Sequence, residues 1–317
     1  MELTTPGIHH VTAIAGDPQR NLDFYAATLG QRFIKRTVNF DVPETYHFYF
    51  GDEHGDPGTI LTFFPWPHLG PGRRGVGETS ALSYSAPPGA LDYWRERLAL
   101  FGGAVTAFER FGEQGVAFSD SDGISVELIE ADADERYAWS GGPIPLAAAL
   151  RGFHSVTLTV GDVQRSADFL TGLFGYRRVG QEGERVRYAA TGDAPGRIID
   201  FLPAAPELGR GREGAGIVHH VAFRTADDAE QLRWRMQVAE VGRPVTAVQD
   251  RQYFNSIYFR EPGGVLFEIA TDGPGFAIDE DVTRLGSALK LPPQYEPMRA
   301  DLERNLPALT VPSTTLA

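Results

Sequence analysis

The 317-residue sequence contains no cysteine. Disulfides, thiolate nucleophiles, Cys-ligated zinc and iron–sulfur clusters are therefore excluded, and any bound metal must be held by His, Asp or Glu. Basic residues are also scarce. Lys plus Arg total 29 against 42 Asp plus Glu, a formal charge of −13. Without a basic face, neither nucleic acid nor an anionic membrane is expected as a partner. No run of about 18 apolar residues is present to cross a bilayer. The opening MELTTPGIHH has neither the basic start nor the apolar stretch of a secretion signal. A soluble, cytoplasmic protein is the expectation, and association into homo-oligomers stays open.

What is present is a repeat. The runs GIHHVTAI, ALSYSA, FHSVTLTV and VHHVAFRT read as strands. Each is followed by a helical pattern, at 17–30, 90–102, 163–175 and 227–242, and then by three short strand-like runs. The fold class is α+β: four βαβββ modules paired into two similar domains that form cupped mixed sheets. Residues 1–131 hold modules one and two, and residues 152–270 hold modules three and four. The Gly-, Pro- and Ala-rich stretch 132–152 joins them, and 271–317 forms a C-terminal extension with a short helix and an extended arm.

Aligning the modules isolates unusual positions. His10, Ala81, Ser155 and His220 are equivalent in the opening strands, and Thr62, Glu127, Asp200 and Glu268 are equivalent in the closing strands. Only module four has both the histidine and the glutamate. Strand side chains alternate faces, so a cupped sheet built from modules one and four would aim His10, His220 and Glu268 into one cavity. Two imidazoles and a carboxylate make a facial triad suited to non-haem Fe(II), with Mn(II), or Zn(II) carrying a water, as alternatives.

Other candidates cluster around this set. His9 and His219 precede the proposed ligands and either orient substrate and move protons or pack structurally. Tyr258 reads as a hydrogen-bonding partner of bound oxygen or a plain core aromatic. Arg251 reads as a cation for an anionic substrate or half of a surface ion pair, and Thr12 as a cavity-wall donor. The glycine-rich GPGRRGVGE at 70–78 lacks the Gly-Lys-Ser/Thr of a P-loop, and no dinucleotide fingerprint follows the first strand.

These segments resemble a known family. GIHHVTAIAGDPQRNLDFYAATLG, FYFGD with GTILTFFP, RDRQYFNSIYFREPGGVLFEIATDGPGF and LPPQYEPMRADLERNLP are similar to the vicinal oxygen chelate superfamily, which spans glyoxalases, bleomycin-resistance proteins and extradiol dioxygenases. Within it the chain looks most like the ring-cleaving dioxygenases of hydroquinones. The resemblance implies Fe(II) held by His10, His220 and Glu268. It also implies a substrate site lined by His9, Thr12, His219, Arg251 and Tyr258. A small aromatic diol and dioxygen are the implied substrates. Ser155 stands where catechol-cleaving members carry a third-module histidine. A metal-dependent isomerase or thiol transferase of the glyoxalase type remains an alternative, as does a non-catalytic small-molecule binder. Thr62 is no carboxylate, which weighs against the isomerase.

Overall fold

The computed structural model describes residues 3–132, 134–190, 192 and 194–311; the Ser/Thr-rich end at 312–317 lies outside the described residues. Module one comprises β1 (Ile8–Ala15), α1 (Pro18–Leu22), β2 (Arg32–Val38), β3 (Tyr46–Gly51) and β4 (Ile60–Pro65). Module two follows with β5 (Glu78–Ala86), α2 (Leu91–Leu100), β6 (Thr106–Arg110), β7 (Glu113–Ser119) and β8 (Ser125–Glu130). Module three contains β9 (Phe153–Val160), α3 (Val163–Phe174), β10 (Arg177–Glu182), β11 (Arg185–Ala189) and β12 (Ile198–Pro203). Module four contains β13 (Ile217–Thr225), α4 (Asp228–Glu240), β14 (Gln249–Asp250), β15 (Phe254–Arg260) and β16 (Leu266–Pro274). A short α5 (Arg299–Asn305) closes the described tail.

Local chemistry explains the helix ends. Asp17, Asp162 and Asp227 cap α1, α3 and α4 by accepting from the backbone N–H three residues on. Gly175, at φ 72°, ends α3 in the left-handed region. The helix expected over 17–30 is irregular: after α1 it widens into a π-helix at Asp23–Thr28. That segment carries Tyr25, whose hydroxyl donates to Asp120 Oδ2 at 2.9 Å.

The modules combine into two eight-stranded mixed sheets. One runs β14-β15-β16-β13-β1-β4-β3-β2, and the other β10-β11-β12-β9-β5-β8-β7-β6. Modules one and four thus share a sheet, as do two and three, each joined by an antiparallel pair: β1 with β13, β5 with β9. The two connecting segments cross between the sheets. Arg73 and Arg212 exchange backbone hydrogen bonds at 2.9 Å in both directions. A Cβ on Gly75 would sit 1.9 Å from the backbone nitrogen of Gly211. The glycines of 70–78 therefore serve this close backbone crossing.

Large buried aromatics and aliphatics fill the space between sheets and helices, with Trp94 and Trp234 fully buried. No helix among the described residues is long and apolar enough to cross a membrane.

Candidate metal centre

Strand register builds the site. His10 on β1 faces Ala222 on β13, which faces Glu268 on β16, which faces Tyr258 on β15. Two residues further along β1, Thr12 faces His220 on one side and Thr62 on the other, and Thr62 faces Tyr49 on β3. The side-chain period of two puts both rows on the concave face. Ala222 lies between His10 and Glu268, and its methyl group leaves room for the two longer side chains to meet above it.

There the ligand atoms converge. His220 Nε2 lies 2.8 Å from Glu268 Oε2, His10 Nε2 lies 3.4 Å from the same oxygen, and the two Nε2 atoms are 3.3 Å apart. All three residues are buried, and the three ligand atoms fit within 4.8 Å of one another. Burial alone would raise the Glu268 carboxyl, but His10 and His220 outweigh it and hold the group well below the ordinary carboxylate range. Burial lowers the His220 pKa, partly offset by Glu268. Ser256 Oγ–H donates to Glu268 Oε1, whereas Oε2 faces the two imidazole nitrogens.

The neighbouring histidines fix the protonation pattern. His9 Nε2 lies 3.1 Å from the Thr271 carbonyl oxygen, which can only accept, so this nitrogen carries the proton. Burial, then the adjacent His10, depresses the His9 pKa and keeps the ring neutral, so its Nδ1 is bare. That Nδ1 is 2.9 Å from His10 Nδ1, which must donate. The other ring nitrogen, His10 Nε2, faces Glu268. Module four repeats the device, with His219 Nδ1 and His220 Nδ1 2.7 Å apart. Two imidazole nitrogens and a carboxylate oxygen thus meet in a buried spot, a donor set that can close around a cation. Ligands about 2.1 Å from one octahedral ion lie about 3 Å apart at right angles, which matches the observed separations. The donor set of two imidazole nitrogens and a carboxylate suits Fe(II).

The set opens into a cavity of about 390 Å³. His10, Thr12, His219, His220, Arg251 and Tyr258 line it. His9 does not: it stacks edge-on against Phe254 behind His10, at 5.1 Å between centroids. Arg251 Nε donates to Tyr258 Oη at 3.2 Å, and Arg251 also meets Asp41 and Gln249. Gln252, at φ 66°, turns the chain sharply after Arg251. Burial raises the Tyr258 phenol, which stays protonated and able to donate. Burial, then His220, pushes His219 down to about 4. Phe64, Trp66, Phe254 and Leu266 give the cavity its apolar wall.

Sequence reasoning missed His47 and Tyr49. Both line the cavity from β3. The signal was the alternation of polar-tipped His47 and Tyr49 with Phe48 and Phe50 in HFYFG.

The chain has clear relatives. A family model described as "Glyoxalase/Bleomycin resistance protein/Dioxygenase superfamily" matches residues 7–128 and 152–269. The protein "Putative ring-cleaving dioxygenase MhqO" of Bacillus subtilis (strain 168) is 50% identical over 306 residues, covering 96% of this chain and 97% of that one. The chlorohydroquinone/hydroquinone 1,2-dioxygenase of Sphingobium indicum is 38% identical over 309 residues, covering 95% of each chain. A crystal structure from Bacillus subtilis subsp. subtilis str. 168, of a protein likewise named as a dioxygenase, has a TM-score of 0.94 at 48% identity. It covers 98% of this chain and 99% of that one.

Proposed function

Because the chain belongs to the glyoxalase/bleomycin resistance protein/dioxygenase superfamily, we propose that it is an Fe(II)-dependent extradiol-type dioxygenase that cleaves the ring of a hydroquinone-like aromatic diol with O2. The observation that carries this reading is the convergence of the buried His10, His220 and Glu268, whose ligand atoms all lie within 4.8 Å of one another. The named activity of the Sphingobium indicum relative supports the diol. Mn(II) would fit the same donors.

Bound Fe(II) would bring the diol and dioxygen together and let electron density pass from ring to oxygen. His9 holds His10 in its ligating tautomer. His219, with its Nδ1 engaged by His220, presents its Nε2–H to the cavity and orients a substrate oxygen. Tyr258 accepts from Arg251 and keeps its phenol proton, with which it would donate to a developing anion. Arg251 places a positive charge where negative charge grows during ring opening. Thr12, paired in register with His220, offers a hydroxyl at the cavity lining. The apolar wall keeps the reacting ring dry. A para-diol cannot reach one ion through both oxygens, so these side chains must hold the distal hydroxyl. Thr62 supplies no fourth carboxylate, which disfavours the glyoxalase-type isomerase.

The test is anaerobic Fe(II) reconstitution followed by oxygen uptake with a panel of hydroquinones and catechols. Uptake with hydroquinones is expected. No uptake with any diol would refute the dioxygenase, and uptake with catechols alone would refute the para-diol preference.

A further inference from the structure

We propose that His47 is the centre of a proton relay whose two ends both open into the metal cavity. The proposal rests on the diol-cleaving reading above and adds residues to it.

Four side chains form an unbranched chain. Thr12 Oγ1 lies 2.8 Å from Thr62 Oγ1, Thr62 Oγ1 lies 2.9 Å from His47 Nε2, and His47 Nδ1 lies 3.0 Å from Tyr49 Oη. Among the described residues no other side-chain hydrogen bond leaves these atoms. Thr12, His47 and Tyr49 line the cavity, whereas Thr62 is fully buried behind them. The sheet dictates this. His47 and Tyr49 alternate on β3, and Thr62 on β4 pairs with Thr12 on one side and Tyr49 on the other. Thr62 occupies in module one the position that Glu268 holds in module four. The row that provides a ligand in one module provides the middle hydroxyl of the relay in the other.

The chain has two hydrogen-bonding senses. Burial, then the nearby His10 and Arg251, keeps His47 neutral, so its ring carries one proton. With the proton on Nε2, Tyr49 donates to His47, His47 to Thr62 and Thr62 to Thr12, leaving the Thr12 proton for the cavity. With the proton on Nδ1, every bond reverses and Tyr49 presents its proton instead. One end of the wall is always a donor and the other an acceptor.

Switching senses moves one proton along the cavity wall, from Tyr49 to Thr12. A ligand hydroxyl gives its proton to Tyr49 Oη while the Tyr49 proton passes to His47 Nδ1. The Nε2 proton passes to Thr62, that of Thr62 to Thr12, and that of Thr12 to an acceptor oxygen. One ligand O–H bond breaks, one forms at the acceptor, and no charge stays on the relay. Tyr49 cannot act alone, because burial raises its phenol well above the ordinary value. A diol with oxygens at opposite ends of its ring loses a proton at one end as the other reacts. The relay couples the two without opening the cavity to water.

Thr62→Val keeps the shape and removes the middle hydroxyl without touching the cavity lining; His47→Gln removes the imidazole. In Fe(II)-loaded protein turning over hydroquinone, both should lower kcat about 100-fold, with Fe(II) stoichiometry kept and KM little changed. Thr62→Ser should restore kcat. An unchanged kcat in Thr62→Val overturns the relay. A second readout needs neither metal nor turnover: the ring ¹⁵N shifts of His47 in metal-free protein. One bare and one protonated nitrogen are expected, redistributed by Thr62→Val. A doubly protonated ring at neutral pH, or shifts unmoved by that variant, overturns the proposal. If the unaltered protein consumes no oxygen with any diol, the dioxygenase reading fails while the NMR result still decides the relay.

Discussion

Ala222 shows how one small side chain sets the metal centre. It sits between His10 and Glu268 in the strand row and is fully buried. Ala222→Leu would push both side chains apart at a position with no free volume. We expect loss of stoichiometric Fe(II) binding with circular dichroism unchanged; retained stoichiometry would contradict the packing argument. His9 acts one step further out. His9→Leu removes the partner of His10 Nδ1 that orients the ring, so Fe(II) affinity should fall about 10- to 100-fold, measured by anaerobic titration. If affinity stays the same, His9 does not orient His10.

At the level of elements, the turn between β7 and β8 carries a charge that opposes folding at neutral pH. Asp120 accepts from the backbone N–H groups of Asp122 and Ile124 and from Tyr25 on the π-helical segment. Burial raises its pKa from 3.8 to about 6, despite those donors. The folded state therefore holds this proton where the unfolded state has released it. Stability from this group falls as pH rises from about 4 to about 6, by on the order of 3 kcal/mol. Asp120→Asn cannot ionise and keeps an acceptor for the turn. Its stability relative to the parent should improve across that window, followed by urea denaturation at pH 4 and pH 7. A constant difference between the two proteins would contradict the assignment.

At the scale of the whole molecule, the two sheets share a plan and differ in what fills the cup. Glu127 and Asp200 stand in the position of Glu268, but arginines occupy the space a metal would take. Arg110 lies 2.6 Å from Glu127, and Arg187 and Arg185 reach Asp200 at 2.8 and 3.2 Å. Arg187 also pairs with Glu113, which lies 3.0 Å from His154. Burial would raise Glu113, but His154 and Arg187 bring it down to about 2. Its contribution is fully present above about pH 4.5 and is lost as pH falls toward 2. Arg187→Met strands Asp200 with Arg185 alone and should cost about 3–5 kcal/mol. Fe(II) binding in the other sheet should be unaffected. A matching loss of metal would show the two cups to be coupled.

The module repeat, the strand–helix–strand order and the His10, His220 and Glu268 set were legible in the sequence, because strand alternation and helix caps are local and repeat with the modules. His10 and His220 stood out by their absence from modules two and three. The tautomers, the Arg251–Tyr258 contact, the His47 relay and the hidden place of His9 were not legible. Each depends on which strands become neighbours and on what lies within 3 Å across the sheet. Side-chain period assigns a face, whereas only the register of β1 against β13 and β4 decides which residues on that face meet. The sequence by itself thus determined a cysteine-free, four-module chain with nitrogen and oxygen ligands. The tertiary structure decided the register in which β1 and β13 join modules one and four, and that ion pairs fill the other cup. Hydrogen bonds and charge contacts act over a few ångströms, and only the closed sheet brings residues 200 positions apart to that distance.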